Sequence, residues 1–231
     1  PELAEMLAQA EEEFRRATQV SPGFAPAHAA LAEVLIARGR PAEARPVLEK
    51  ALALNPGDWQ SQYRLATLLM GAGEAARATD LLEKVARRRP EFLPAREQLG
   101  LSCIRRGDLE RAAAQAEVMV AENPQAAEGH RLMALVLWKR RDFETSLAEC
   151  AMALAAQPDS AQMLALQALG LWQLDRRRDA RTALAQAAKM QPQIASVEVL
   201  CRLVLCDAQD MATVRDFLRR NRWVLMPPVA P

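Results

Sequence analysis

Apolar and polar positions alternate along this chain at helical spacing, in pairs of stretches separated by tight turns. Between residues 25 and 58, Leu31, Ala32 and Leu35 mark one apolar face. Ala44, Leu48 and Ala51 mark the next, at i, i+4 and i+7, so the pattern predicts two amphipathic helices. Gly39 ends the first helix as a C-cap residue should, and Pro56 closes the second. Neither helix could bury its face alone.

The unit recurs. Prolines stand at Pro22, Pro56, Pro90, Pro124, Pro158 and Pro192, each 34 residues after the last. Small residues keep the same step at Ala10, Ala44, Ala78, Ala112, Ser146 and Ala180, and again at Ala32, Ala66, Gly100, Ala134 and Ala168, where two helices must approach closely. Larger side chains at Phe14, Leu48, Leu82 and Leu184, with Ala116 and Cys150 between, form the seam together with Leu31, Leu65, Leu99 and Met133. Gly73 and Gly107 repeat the role of Gly39.

These residues resemble the tetratricopeptide repeat motif: Leu31, Ala32, Ala44, Leu48, Ala51 and Pro56 match its Leu, small, Ala, large, Ala and Pro positions. The resemblance covers nearly the whole chain. It divides it into a partial N-terminal repeat (1–24), five full units (25–58, 59–92, 93–126, 127–160 and 161–194) and a degenerate repeat, cap and tail (195–231). It implies an all-α fold, a right-handed superhelical solenoid of antiparallel helix pairs. Three positions depart from the pattern. Gln167 stands where the seam wants Leu, Cys201 with Arg202 replaces Leu and a small residue, and the register should loosen there. Residues 210–222 read as a polar capping helix stopped by Pro227 and Pro228. Pro46, inside a predicted helix, should cost about 3 kcal/mol unless a kink absorbs it.

Composition supports helices throughout, since Ala, Leu, Arg and Glu dominate. A net charge of +1 leaves no global field to draw the chain to nucleic acid or an anionic membrane. No stretch reaches the roughly 18 to 20 apolar residues of a membrane span, and no signal-peptide pattern opens the chain. Starting at Pro1 without Met, it reads as an excised domain or processed product. Cys103, Cys150, Cys201 and Cys206 lack metal-site spacing and read as buried thiols, which favours the cytoplasm, or the cytosolic part of a membrane-anchored protein, over the periplasm.

No catalytic, cofactor or metal site emerges. His28 and His130 occupy equivalent places three repeats apart, and stacked helices spaced about 8 to 10 Å keep them from acting together. No glycine-rich phosphate loop is present. The run Glu11, Glu12 and Glu13 points around a helix and reads as a solvated face.

In the family the first helix of each unit lines an inner groove, so the resemblance implies three ladders along it. One is Ile36, Met70, Ile104, Trp138 and Trp172. A second is Glu33, Thr67, Leu101, Leu135, Leu169 and Leu203, and a third Ala30, Arg64, Gln98, Leu132, Leu166 and Leu200. The predicted partner site is therefore an apolar strip of Met70, Leu101, Ile104, Leu132, Leu135, Trp138, Leu166, Leu169 and Trp172, fit for an apolar peptide or helix. Two other readings leave that strip covered, by neighbouring helices or by the tail residues Trp223, Val224, Leu225 and Met226. The carboxylate clamp by which some family members grip a C-terminus is missing, for Ala29, Glu33, Arg64, Pro94 and Gln98 stand in its places. A basic edge of Arg105, Arg106, Lys139, Arg140, Arg141, Arg176, Arg177 and Arg178 either complements helix C-termini or meets an acidic partner or an anionic surface. The function read from this is a protein-binding adaptor. Its rivals are a self-assembling module or a regulatory domain of a secretion or envelope-polysaccharide complex.

Overall fold

The computed structural model describes residues 2–221, and every regular element among them is helical. The tail residues Trp223 to Met226, Pro227 and Pro228 lie outside the described residues. The chain divides into two compact units, residues 1–102 and 103–231, with the boundary inside one helix.

The N-terminal unit contains α1 (Glu2–Val20), α2 (Ala25–Ala37), α3 (Pro41–Leu54), α4 (Trp59–Gly71), α5 (Ala75–Arg88) and most of α6 (Leu93–Arg105). Small residues set the helix contacts. Ala32 and Ala44 across α2 and α3, and Ala66 and Ala78 across α4 and α5, are wholly buried, with Leu35, Leu48, Leu69 and Leu82 filling the space around them. Each first helix ends in a glycine of positive φ, 71° at Gly39 and 81° at Gly73. That geometry lets the next amide reach back five residues, Arg40 N–H to the Leu35 carbonyl and Glu74 N–H to Leu69, both at 2.9 Å. Pro46 sits exposed within an unbroken α3.

The C-terminal unit continues with α7 (Leu109–Glu122), α8 (Ala127–Lys139), α9 (Phe143–Ala156), α10 (Ala161–Gln173) and α11 (Arg177–Met190). A 3-10 turn (Pro192–Ala195), α12 (Val197–Leu203) and α13 (Ala208–Arg220) complete it. The alanine contacts persist at Ala112, Ala134, Ala168 and Ala180, and Ser146 takes one such place by donating to the Ala134 carbonyl at 2.8 Å. Gly107 keeps the glycine turn at φ 78°. At the next two turns Arg141 (65°) and Asp175 (60°) adopt the same left-handed conformation without being glycine.

The last pair breaks the register by a full helical turn. Helices α2, α4, α6, α8 and α10 each have 13 residues, whereas α12 has 7, making it about 9 Å shorter. The left-handed turn residue due at Gln209, 34 after Asp175, is instead Leu205 (φ 53°). The cause is local. Asp207 accepts from the Asp210 amide at 2.9 Å while Asp210 accepts from the Asp207 amide at 3.1 Å, a reciprocal capping box that starts α13 early.

Candidate protein-binding surface

In the N-terminal unit the first-helix ladder is polar and open. Glu33 and Thr67 are exposed, Ile36 and Met70 half-buried, and Arg64 pairs with Glu33 at 2.8 Å. An aromatic cluster lies nearby that the repeat ladders do not predict: Phe92 meets Trp59 and Tyr63 edge to face at 4.9 and 5.0 Å, and Arg89 stacks over Trp59. Its signal in the sequence is a 33-residue spacing, Trp59 to Phe92, from the first residue of one unit to its last.

The apolar strip of the C-terminal unit is not the open surface that the ladders predicted. Ile104, Leu132, Leu135, Trp138, Leu166, Leu169 and Trp172 are all buried, while Leu101 and Met70, both in the N-terminal unit, are half-buried. Part of the cover is α13. Phe217 packs edge to face on Trp172 with ring centroids 5.3 Å apart, Gln173 donates to the Thr213 hydroxyl at 3.3 Å, and Arg181 at the start of α11 donates to Asn221 at 3.0 Å. Val214, Phe217 and Leu218 are buried as a result.

The N-terminal end of α13 takes up the basic edge. Asp210, 1% exposed, lies 2.5 Å from Lys139 Nζ and 3.0 Å from Arg141 Nη2, and Asp207 lies 3.3 Å from the same Lys139. Both cations also stand 5.6 Å from the centre of the Trp138 ring. Asp207 is held below the ordinary carboxylate range, first by the Asp210 amide and then, against the cost of desolvation, by Lys139. Elsewhere along that edge Arg140 pairs with Glu110, Arg176 with Asp179, and Arg177 with Asp175 while stacking 3.7 Å above Trp172. Arg105, Arg106 and Arg178 are exposed.

The two histidines serve the structure separately. His28 Nε2 is 2.9 Å from the Pro22 carbonyl, and His130 Nε2 is 2.9 Å from the Pro124 carbonyl. Gln62 to Pro56 (2.7 Å) and Arg96 to Pro90 (3.1 Å) repeat the bridge, so the fourth residue of four units ties down the preceding proline turn. Leu164 ends the series. His130 Nδ1 also meets Glu149 at 2.7 Å. Burial alone would lower the pKa of that ring, but the Pro124 carbonyl and the Glu149 carboxylate outweigh it and hold the pKa above the usual value.

Glu11 corrects another expectation. It is buried rather than solvated, and accepts from Arg15 at 2.9 Å, from Arg40 at 2.7 Å and from Arg38. Desolvation works against its charge, but the hydrogen bonds from Arg15 and Arg40 prevail and lower its pKa. Among the thiols, Cys103 and Cys150 are buried and Cys201 and Cys206 half-buried. Burial pushes the Cys150 thiol up to about 12. Among the described residues no cluster of three or more His, Cys, Asp or Glu could hold a metal, and no helix is long and apolar enough to cross a membrane.

Stacked helix hairpins of constant period, with surfaces made of packing and charge contacts, define a helical-repeat protein. The tetratricopeptide repeat profiles match residues 3–49, 35–99 and 98–161, and the chain belongs to that family. Among solved structures it is similar to pilF of Pseudomonas aeruginosa, with 22% identity and a TM-score of 0.65 over 94% of this chain and 91% of that one. It is also similar to MamA from Desulfovibrio magneticus RS-1, with 19% identity and a TM-score of 0.64 over 74% and 97% of the two chains. YrrB, described as a TPR protein with an unusual peptide-binding site, has 19% identity and a TM-score of 0.62 over 85% and 97%. At these identities the likeness is one of fold, the all-α solenoid class. No curated protein sequence matches the chain.

Proposed function

We propose that the chain is a non-catalytic scaffold that binds a helical segment of a partner protein on the first helices of its repeats. In the C-terminal unit the seat runs across the ends of α8 and α10, anchored by Trp172 and by Lys139 with Arg141. The observation carrying this reading is that α13 already lies there as an amphipathic helix would. Its aromatic side chain meets a tryptophan and its acidic end meets two cations. Family membership supports it, because tetratricopeptide arrays are protein-interaction scaffolds, and YrrB carries a peptide-binding site.

A photo-cross-linking residue placed in the full chain at Thr67 or Gln173, on first helices, tests it against the same residue at Asp80 or Glu117, exposed on second helices. Protein adducts confined to the first-helix positions are expected. Adducts equal at both sets, or found only at the second-helix positions, would remove the first-helix face from consideration.

Self-association is the second reading, favoured by apolar residues exposed at the N-terminal end: Leu3 (70%), Met6 (64%), Val20 (83%) and Phe24 (55%). Light scattering at several concentrations separates the two, since a concentration-independent monomer excludes it.

A further inference from the structure

We infer that α13 is an intramolecular stand-in for the partner helix. It occupies the seat on α8 and α10 until it is displaced by a helix presenting a carboxylate in its first turn and an aromatic side chain seven residues later. The inference rests on the proposed function and adds its regulation and the chemistry of its ligand.

Three observations on different scales carry it. The first is register. If α12 ran its full length, the capping pair would begin α13 a turn later, as Asp108 and Asp142 begin α7 and α9. Instead the Asp207 and Asp210 box starts α13 early, after an α12 about half as long as its counterparts, and places Asp210 beside Lys139 and Arg141, residues that terminate a first helix two units earlier.

The second is chemistry. Asp210 and Phe217 are two turns apart on one face of α13, and each meets a complementary group: a pair of cations for the acid, an indole for the ring. Lys139 is itself nearly buried, with 9% of its side chain exposed, so vacating the seat uncovers a cation pair that a new carboxylate would satisfy.

The third is how the occupant is joined to the rest of the unit. α13 follows a seven-residue helix and a single left-handed turn residue, Leu205, so the helix is tethered through a short connection. Beside that turn lies a cavity of about 610 Å³, lined by Ile104, Leu109, Lys139, Cys201, Leu205 and Cys206 among others. A tethered occupant acts at an effective concentration of about a millimolar, so a free helix of equal affinity competes poorly until the tether's own contacts are weakened.

The test uses the full chain and a fluorescent synthetic peptide with the sequence of residues 207–221, read by anisotropy. The double variant Asp210→Ala with Phe217→Ala weakens the internal occupant and leaves the seat intact. It is expected to bind the peptide about tenfold or more tightly than the unaltered chain, and a peptide carrying the same two substitutions is expected to bind neither. Should the double variant not fold, hydrogen exchange on the unaltered chain serves instead: excess peptide should speed exchange of the chain's own α13 amides and leave those of α9 unchanged.

Equal binding by both chains would show the peptide docking away from α13. This would overturn the inference while leaving a helix-binding scaffold in place. Binding by neither chain, with the α13 amides of the variant exchanging freely, would show a vacated seat that takes no helix, and the proposed function would fail with the inference. α13 amides equally protected in variant and unaltered chain would show that the two residues do not hold the helix, which also overturns the inference.

Discussion

Phe217 of α13 meets Trp172 of α10 edge to face at 5.3 Å, although the two residues lie 45 positions apart and the repeat register does not bring them together. The contact helps to bury, at Trp172, a position that the ladder of equivalent residues predicts as surface. It also decides which substitutions report on binding and which report on folding.

Trp138 belongs to the second kind. It is wholly buried, and its indole N–H has no partner among the described residues. Trp138→Ala should cost about 3 to 5 kcal/mol of stability, as for other large-to-small changes in cores, and urea unfolding measures it. A loss of partner binding in that variant would follow from unfolding, so a cost below about 1 kcal/mol would contradict its burial.

His130 predicts a pH dependence. Protonated, it donates both to the Pro124 carbonyl and to Glu149; neutral, it keeps only one N–H for the two acceptors. Because its folded pKa is raised, its contribution is complete below about pH 6.5 and is lost as pH rises through the folded value. Replacing it with Leu, the residue at the equivalent position 164, should cost about 1 to 3 kcal/mol near pH 5.5 and less near pH 8.5. Unfolding curves at the two pH values check this, and a cost that grows with pH would refute the assignment.

Gly71 and Gly73 predict opposite signs two residues apart. At each, a Cβ in place of the hydrogen would meet no atom within 4 Å, so only backbone conformation differs. Gly71 closes α4 with helical φ, and Gly71→Ala should stabilise by about 0.5 to 1 kcal/mol. Gly73 has φ 81°, and Gly73→Ala should destabilise by about 1 kcal/mol. Thermal unfolding of the two variants reads both signs, and equal shifts would mean that φ is not the determinant.

The period, the small-residue contacts and the turn glycines are legible in the sequence because each depends on residues within one hairpin or the next. Ala32 against Ala44 and the φ of Gly39 are examples. The burial of Trp172 is not, since exposure depends on what is laid over a ladder, and Phe217 comes from a hairpin whose turn has slipped. The sign of that slip is present in Asp207 and Asp210, spaced as a capping box. Glu11 escapes the sequence pattern for a related reason: among three consecutive acids, only the arrival of Arg38 and Arg40, 27 and 29 residues later, distinguishes the buried one.

Hydrogen exchange of the unaltered full chain tests most directly whether α13 is a separable occupant of the seat. If it is, amides of residues 208–220 open together, at a free energy well below that of α8 and α10. If they exchange only through the same global opening as those two helices, α13 is a permanent part of the core and the seat is never offered to a partner.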